Sequence, residues 1–294
     1  MRKFILGTDW WTDCDDVVAL RLLARAHKAG EIRLLGVALN GCMEYSVSSV
    51  EGFLHTEGID DLPIGIDLNA TDFGGNPPYQ KRLSQHAGKY RCNTGAENAV
   101  RLYRTLLARA GSPAEIIEIG YPQVLADLLQ SGGDDISPLS GMELVRKNVS
   151  RVWMMAGRWD QTPGRENNFI RNPRSRKAAH LFCALCPVPV VFLGFEVGAT
   201  VISGGNLKED DPVHLALADH GSPGGRSSWD PMLCLLAVIG DEAGAGYRVV
   251  RGKASVDAET GENYFSKDER GPHAYVIKNF EDSYYAEAIN RRIV

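Results

Sequence analysis

Short, nearly continuous apolar runs recur along the chain, at Phe4–Leu6, Ile32–Leu39, Leu62–Ile66, Ile116–Ile119, Val149–Met155 and Val188–Phe195. Runs of this kind suit strands covered on both faces, where neither side meets water. The segments between them carry helical spacing. Val17–His27 has a polar stripe at Arg21, Arg25 and Lys28, with Val, Leu and Ala elsewhere and Gly30 as its stop. Asn98–Ala110 puts Leu102, Tyr103, Leu106 and Ala110 on one side and ends at Gly111. Further helices are expected at Ser46–Thr56, Val124–Leu129, Pro173–Ala184 and Asp230–Val238. Strands alternating with helices predict an α/β fold: an open, mostly parallel, Rossmann-like sheet with helices on both faces. Asp67 to Thr94 is rich in Gly, Pro, Asn and basic residues and reads as a long loop. From Tyr247, the alternating VVRGKASVD, a turn at Glu259-Thr260-Gly261 and HAYVI predict a C-terminal antiparallel addition. With no linker or internal repeat, residues 1–294 are expected to form a single domain.

Composition narrows the function classes. The chain is 44% hydrophobic and 23% charged, an ordinary globular balance. Its formal net charge of −5, with both signs interspersed, argues against a nucleic-acid partner, which requires a positive footprint. A small neutral molecule is the expected partner. No apolar run approaches a membrane span. The start, MRKFILGTDW, echoes a signal peptide, but charged and aromatic residues interrupt it and no small-residue cleavage site follows. It reads as a buried N-terminal strand, and a cytoplasmic protein is expected. The six cysteines form no close-set framework; Cys183 and Cys186 make a CxxC without a second pair and read as core packing.

The chemistry concentrates in Gly7-Thr8-Asp9-Trp10-Trp11-Thr12-Asp13-Cys14-Asp15-Asp16, four carboxylates directly after one strand and directly before a helix. Ligands of open α/β sheets bind outside the carboxyl ends of the strands, so the cluster lies where a site is expected. Crowded carboxylates raise one another's pKa unless a cation neutralises them, and oxygen ligands suit Ca²⁺ or Mg²⁺. Helix capping accounts for one or two of these acids, not four. An EF-hand does not fit, for want of the central Gly and the distal Glu. An aspartyl phosphotransferase is a rival, although Trp10-Trp11 follow Asp9 where such sites place a DxD.

Set beside the later segments, this motif resembles that of the inosine-uridine-preferring nucleoside hydrolase family. TDWWTDCDDVVAL is similar to the longer form of the family motif, with Gly7 in place of its first Asp and Trp11 in place of its Gly. Leu35–Asn40 resembles a second strand ending in a substrate-binding Asn, and Asp61–Gly65 resembles the third strand. Ile119–Ala126 resembles "GPLTNLA", Trp153–Gly157 the "MGG" strand end, Glu166–Phe169 "EFN", and Ser228–Pro231 the segment whose Asp closes a Ca²⁺ site.

The resemblance implies a Ca²⁺ ion held by Asp9, Asp16, the Gln123 carbonyl and Asp230, with Asp9 as the base. It implies ribose contacts from Asp15, Asn40, Glu166 and Asn168, with Met155 near the sugar. The implied reaction is hydrolysis of the N-glycosidic bond of a ribonucleoside or related riboside by a homo-oligomer, a dimer or tetramer. Asp13 falls inside the longer motif, one step removed from the cation. Trp229 stands where family members carry a His that could protonate the base; an indole stacks on a base instead. Trp10, Trp11, Trp159 and Tyr121 are further candidates for the base wall, and His220 is a candidate acid. Two other functions remain open: a ribose- or nucleoside-binding protein of weakened activity, and a metal-dependent phosphohydrolase.

Overall fold

The computed structural model describes the chain from Met1 to Val294 except Thr12 and Phe73. Twelve strands are described: β1 (Arg2–Thr8), β2 (Ile32–Leu39), β3 (Ile64–Ile66), β4 (Glu97–Asn98), β5 (Ala114–Glu118), β6 (Val149–Met155), β7 (Val190–Leu193), β8 (Ile202–Ser203), β9 (Arg226–Ser227), β10 (Tyr247–Val256), β11 (Asn263–Lys267) and β12 (His273–Lys278). Ten of them make one sheet, in the order β11-β10-β12-β7-β6-β5-β1-β2-β3-β4, and β8 pairs with β9 apart from it. From β12 to β4 every neighbour is parallel. The expected antiparallel addition is β10 and β11, while β12 returns parallel to β7.

Among the described residues, twelve α-helices connect and cover the strands: α1 (Asp15–Lys28), α2 (Ser46–Thr56), α3 (Pro78–Ser84), α4 (Ala99–Arg109), α5 (Gln123–Gln130), α6 (Gly141–Asn148), α7 (Asn167–Ile170), α8 (Pro173–Leu185), α9 (Phe195–Gly198), α10 (Pro212–Asp219), α11 (Trp229–Ile239) and α12 (Asp282–Ile293). The strand period of two divides the core. Phe4, Leu6, Ile117 and Trp153 face a cluster built with α1, α2, α10, α11 and α12. Ile5, Ile116, Val152 and Met154 face a second cluster built with α4, α5, α6 and α8. Local chemistry sets several ends: Asn98 and Asn172 cap α4 and α8 by accepting from Arg101 N and Ser175 N, and Gly240 ends α11 at φ 74°. No described helix is long and apolar enough to cross a membrane.

The expected long loop from Asp67 to Thr94 contains α3, which corrects that expectation. Seven residues are too few for a helical period to stand out. What stabilises them is tertiary: Pro78 opens the helix, Tyr79, Gln80 and Leu83 are buried, and Gly52 of α2 admits the Leu83 carbonyl where a Cβ would come within 2.0 Å of it.

The chain runs outward from β1 through β2, β3 and β4, then returns to the other side of β1 as β5. The two connections leave the carboxyl ends of β1 and β5 in opposite directions and open a crevice between them. Asp9 stands at its mouth.

Candidate active site

The crevice deepens into a cavity of about 360 Å³ whose wall includes Asp9, Asp15, Asp16 and Asp230. Asp15 and Asp16 form the first turn of α1, and Asp230 lies in the first turn of α11. Carboxylate oxygens of Asp15, Asp16 and Asp230 all lie within 4.8 Å of one another, and all three residues are buried. Asp15 Oδ2 accepts from Asp230 N at 3.0 Å, so the N-terminus of α11 is satisfied by a side chain of α1. Asp16 Oδ1 accepts from the Thr8 hydroxyl and from Trp10 N, and Asp9 Oδ1 accepts from Trp11 N at 3.1 Å. Two helix N-termini therefore face the cluster, and their dipoles favour negative charge there.

Those contacts do not offset the crowding. Burial and the charge of Asp16 hold the Asp9 carboxyl well above its usual range; burial and Asp13 do so for Asp15, and burial and Asp15 for Asp230. Burial pushes Asp16 up to about 7. Asp9 shares the cavity but stands outside the closest carboxylate grouping, in which Asp15 takes the third place. Asp13 lines the rim and accepts both arms of Arg226, at 2.9 and 2.8 Å.

The opposite wall comes from β6 and the loop after it. Gly157, at φ 77°, turns the chain at the strand end, and its N–H donates to Glu166 Oε2 at 3.0 Å. Glu166 Oε1 accepts from Asn168 N, so this carboxylate also caps α7. Asn168 Nδ2 donates to Met155 O at 2.9 Å, which ties the helix to the end of β6. Glu166, Asn168 and Met155 all line the cavity, and burial pushes Glu166 up to about 7.

Asn40 and Gln123 lie behind this surface, outside the cavity lining. Asn40 Nδ2 donates to Glu118 Oε1 at 2.7 Å, its Oδ1 accepts from Tyr121 N, and its carbonyl accepts from Gln123 Nε2. These bonds lock the ends of β2 and β5 together beside Asp9. Gly120 belongs to the lock: a Cβ there would fall 2.3 Å from Asn40 Oδ1 and 2.4 Å from Asp9 N. Glu118 is fully buried, with Oε2 unbonded and facing Gly7.

Burial raises the Glu118 carboxyl from 4.5 to about 8. The unfolded chain loses this proton near 4.5 and the folded chain near 8, so the stability it contributes is full below about 4.5 and is lost as pH rises through about 8. Glu118→Gln removes that slope. At pH 9 the variant is expected to exceed the native chain by on the order of 3 kcal/mol. Urea unfolding at pH 5, 7 and 9 checks it, and parallel curves at all three would contradict the assignment.

The aromatic expectations divide. Trp229 and Trp11 line the cavity, joined by Phe195 at the carboxyl end of β7. Trp229 and Phe195 stack at 5.4 Å and 29°, and Trp229 Nε1 donates to Phe195 O. Trp10 is core, which corrects its place among the wall candidates. It takes a left-handed φ of 50° immediately after Asp9, its indole packs on Phe53 and Tyr79, and Nε1 donates to Ser49 Oγ at 2.8 Å. Trp159 is also core, stacked on Tyr275 and against Phe192. Tyr121 is buried outside the lining, its hydroxyl accepting from Asn167 Nδ2. His220 lies beside Asp13 and Cys14 and bonds Ser222 rather than facing the cavity. Sequence reasoning missed Glu118, Phe195 and Arg171. For Phe195 a signal existed, the position just beyond a strand end; nothing local marked the other two.

This arrangement, a parallel sheet with acids massed at the β1/β5 crevice, is the nucleoside-hydrolase fold. Among solved structures the chain is similar to an inosine-uridine preferring nucleoside hydrolase from Bacillus anthracis, at 15% identity over 100% of this chain and 99% of that one, TM-score 0.71. It is similar to a purine-preferring ribonucleoside hydrolase from Gardnerella vaginalis, at 16% identity over 99% and 98%, TM-score 0.72. It also resembles the type III effector protein XopQ, solved with adenosine diphosphate ribose, at 14% identity over 100% and 93%, TM-score 0.64. No protein-family model matches the chain, and no curated protein matches it by sequence.

Proposed function

We propose that the protein hydrolyses the N-glycosidic bond of a ribonucleoside or related riboside with the help of a divalent cation, Ca²⁺, releasing ribose and the free base. The observation that carries this reading is the meeting of Asp15 and Asp16, from the start of the chain, with Asp230, from near its end, oxygen against oxygen in a buried cavity. The donor set fits a hard cation: it is all oxygen, and among the described residues no cationic side chain is hydrogen-bonded to Asp9, Asp15, Asp16 or Asp230. Asp16 and Asp230, with Asp15 against them and Asp9 on the same cavity wall, would hold it; the Gln123 carbonyl, expected as a further ligand, lies outside the lining. When bound, such an ion lowers the pKa of a water and binds vicinal hydroxyls.

The chain's own groups account for the rest. Cleavage passes through an oxocarbenium-like sugar attacked by water from the face opposite the base. Asp9 accepts the proton of that water. Asp15, Glu166 and Asn168 grip ribose hydroxyls, Asn40 braces the strand end behind them, and Met155 packs on the sugar. Trp229, Trp11 and Phe195 stack on the base. A site built to hold hydroxyls rejects a substrate without them, so 2′-deoxyribosides are expected to react slower by on the order of 10⁴-fold. Reducing-sugar release from a ribonucleoside panel, with Ca²⁺ or with a chelator, tests the reading; absence of release from every member would refute it. Asp13 and the stacked Trp229 also suit a protein that binds a riboside without turning it over. Calorimetric binding of ribose and nucleosides without sugar release would favour that second reading.

A further inference from the structure

When an N-glycosidic bond breaks, its electron pair moves onto the base, so the departing ring needs a proton or a positive charge at its edge. Among the described residues lining the cavity there is no His, Lys, Cys or Tyr, and the Trp229 N–H is committed to the Phe195 carbonyl. One cationic side chain lines it: Arg171, directly after α7. Its guanidinium carbon stands 4.3 Å from the centre of the Trp11 ring, which lines the same cavity. Two other arginines nearby rest on the wall aromatics, Arg226 on Trp229 and Arg158 on Phe195, but neither lines the cavity. A guanidinium on an indole face offers a weakly hydrated positive charge and in-plane donors, which match the oxygen and nitrogen edge of a nucleobase.

Resting on the riboside-hydrolase reading, we propose that Arg171 is the catalytic residue that takes up the charge of the leaving base. The base stacks on the aromatic wall, and the Arg171 N–H groups donate to its carbonyl oxygen or ring nitrogen. The C1′–N bond breaks with its electron pair passing to the base, the C1′–O bond forms from water, and the water proton goes to Asp9. The base anion is held against Arg171 and then protonated from solvent. A phosphate on the substrate is the competing role for an arginine here. The massed carboxylates Asp9, Asp13, Asp15, Asp16, Glu166 and Asp230 on the same cavity oppose an anionic substituent.

The test compares inosine and uridine with 4-nitrophenyl β-D-ribofuranoside, whose phenolate departs without assistance. Arg171→Ala is expected to lose about 10²–10³-fold in kcat/KM on the nucleosides but only a few-fold on the nitrophenyl riboside, while ribose affinity by calorimetry holds. Arg171→Lys, which keeps charge without the planar fork, is expected to recover part of the loss. Turnover of the nitrophenyl riboside also reports that the variant is folded. Equal losses on both substrate kinds, or no loss on nucleosides, would overturn the proposal alone. So would a native preference for nucleoside 5′-phosphates that Arg171→Ala abolishes. If the native protein releases ribose from none of these compounds, the hydrolase reading fails and the proposal with it.

Discussion

Replacing Asp230 by asparagine is expected to lower kcat/KM for a ribonucleoside by about 10³-fold or more, with the fold intact. The amide is nearly the size of the carboxylate, and the main-chain bond from Asp230 N to Asp15 Oδ2 is untouched by the exchange. What disappears is one of three buried carboxyl groups whose oxygens lie within 4.8 Å of one another. The electrostatic consequence separates catalysis from stability. In the absence of cation, the native cluster is held together against its own repulsion, with burial and Asp15 driving the Asp230 carboxyl upward. Asp230→Asn relieves that repulsion, so the chelated variant should melt no lower than the chelated native protein. With the proposed site, added Ca²⁺ should raise the midpoint of the native protein, since a ligand of the folded state alone stabilises it, and should raise that of the variant far less. Thermal melts with Ca²⁺ or chelator, beside ribose release, give both readouts. Turnover of Asp230→Asn at the native rate would remove the cation cluster from the mechanism.

Gly7→Asp should destabilise the chain by more than about 3 kcal/mol, and shortening Glu118 in the same molecule should recover most of the loss. The motif that the N-terminal segment resembles carries Asp at this position, so the substitution would restore the motif and yet harm the protein. The reason is a cross-strand pair. Gly7 of β1 lies opposite Glu118 of β5, and a Cβ on Gly7 would fall 2.2 Å from Glu118 Oε2 and 2.6 Å from its Cδ. A single buried carboxyl fits between these strands, and this chain supplies it from β5. Urea unfolding of Gly7→Asp, Glu118→Ala and the double variant forms a cycle in which the coupling should be large and favourable. A double variant as unstable as the sum of the two singles would show that the pair does not share this space.

Much of the architecture could be read from local pattern. The runs at Ile32–Leu39 and Val149–Met155 coincide with β2 and β6, and the stretch Ser46–Thr56 with α2. Period two and period 3.6 are written by nearest neighbours, and a parallel sheet advertises itself by burying both faces of each strand. The short helix α3 escaped because its stability comes from α2, which no window around Pro78 contains. The acidic segment after β1 was equally legible, since four carboxylates in so short a stretch need a common explanation wherever they point.

The sequence by itself determined that strands and helices alternate, and that an acidic segment follows the first strand and precedes the first helix. Only the tertiary structure decided which of those side chains share a cavity. Trp10 and Trp11 are adjacent and alike on paper, yet the left-handed turn at Trp10 sends its indole into the core while Trp11 lines the cavity. Asp230 joins Asp15 and Asp16 because α1 packs on α11, and Glu118 fills the space that Gly7 leaves because β5 returns to the flank of β1. Neighbouring residues are held by covalent geometry, which a sequence records. Distant ones meet through packing of whole elements, whose outcome depends on every interface at once.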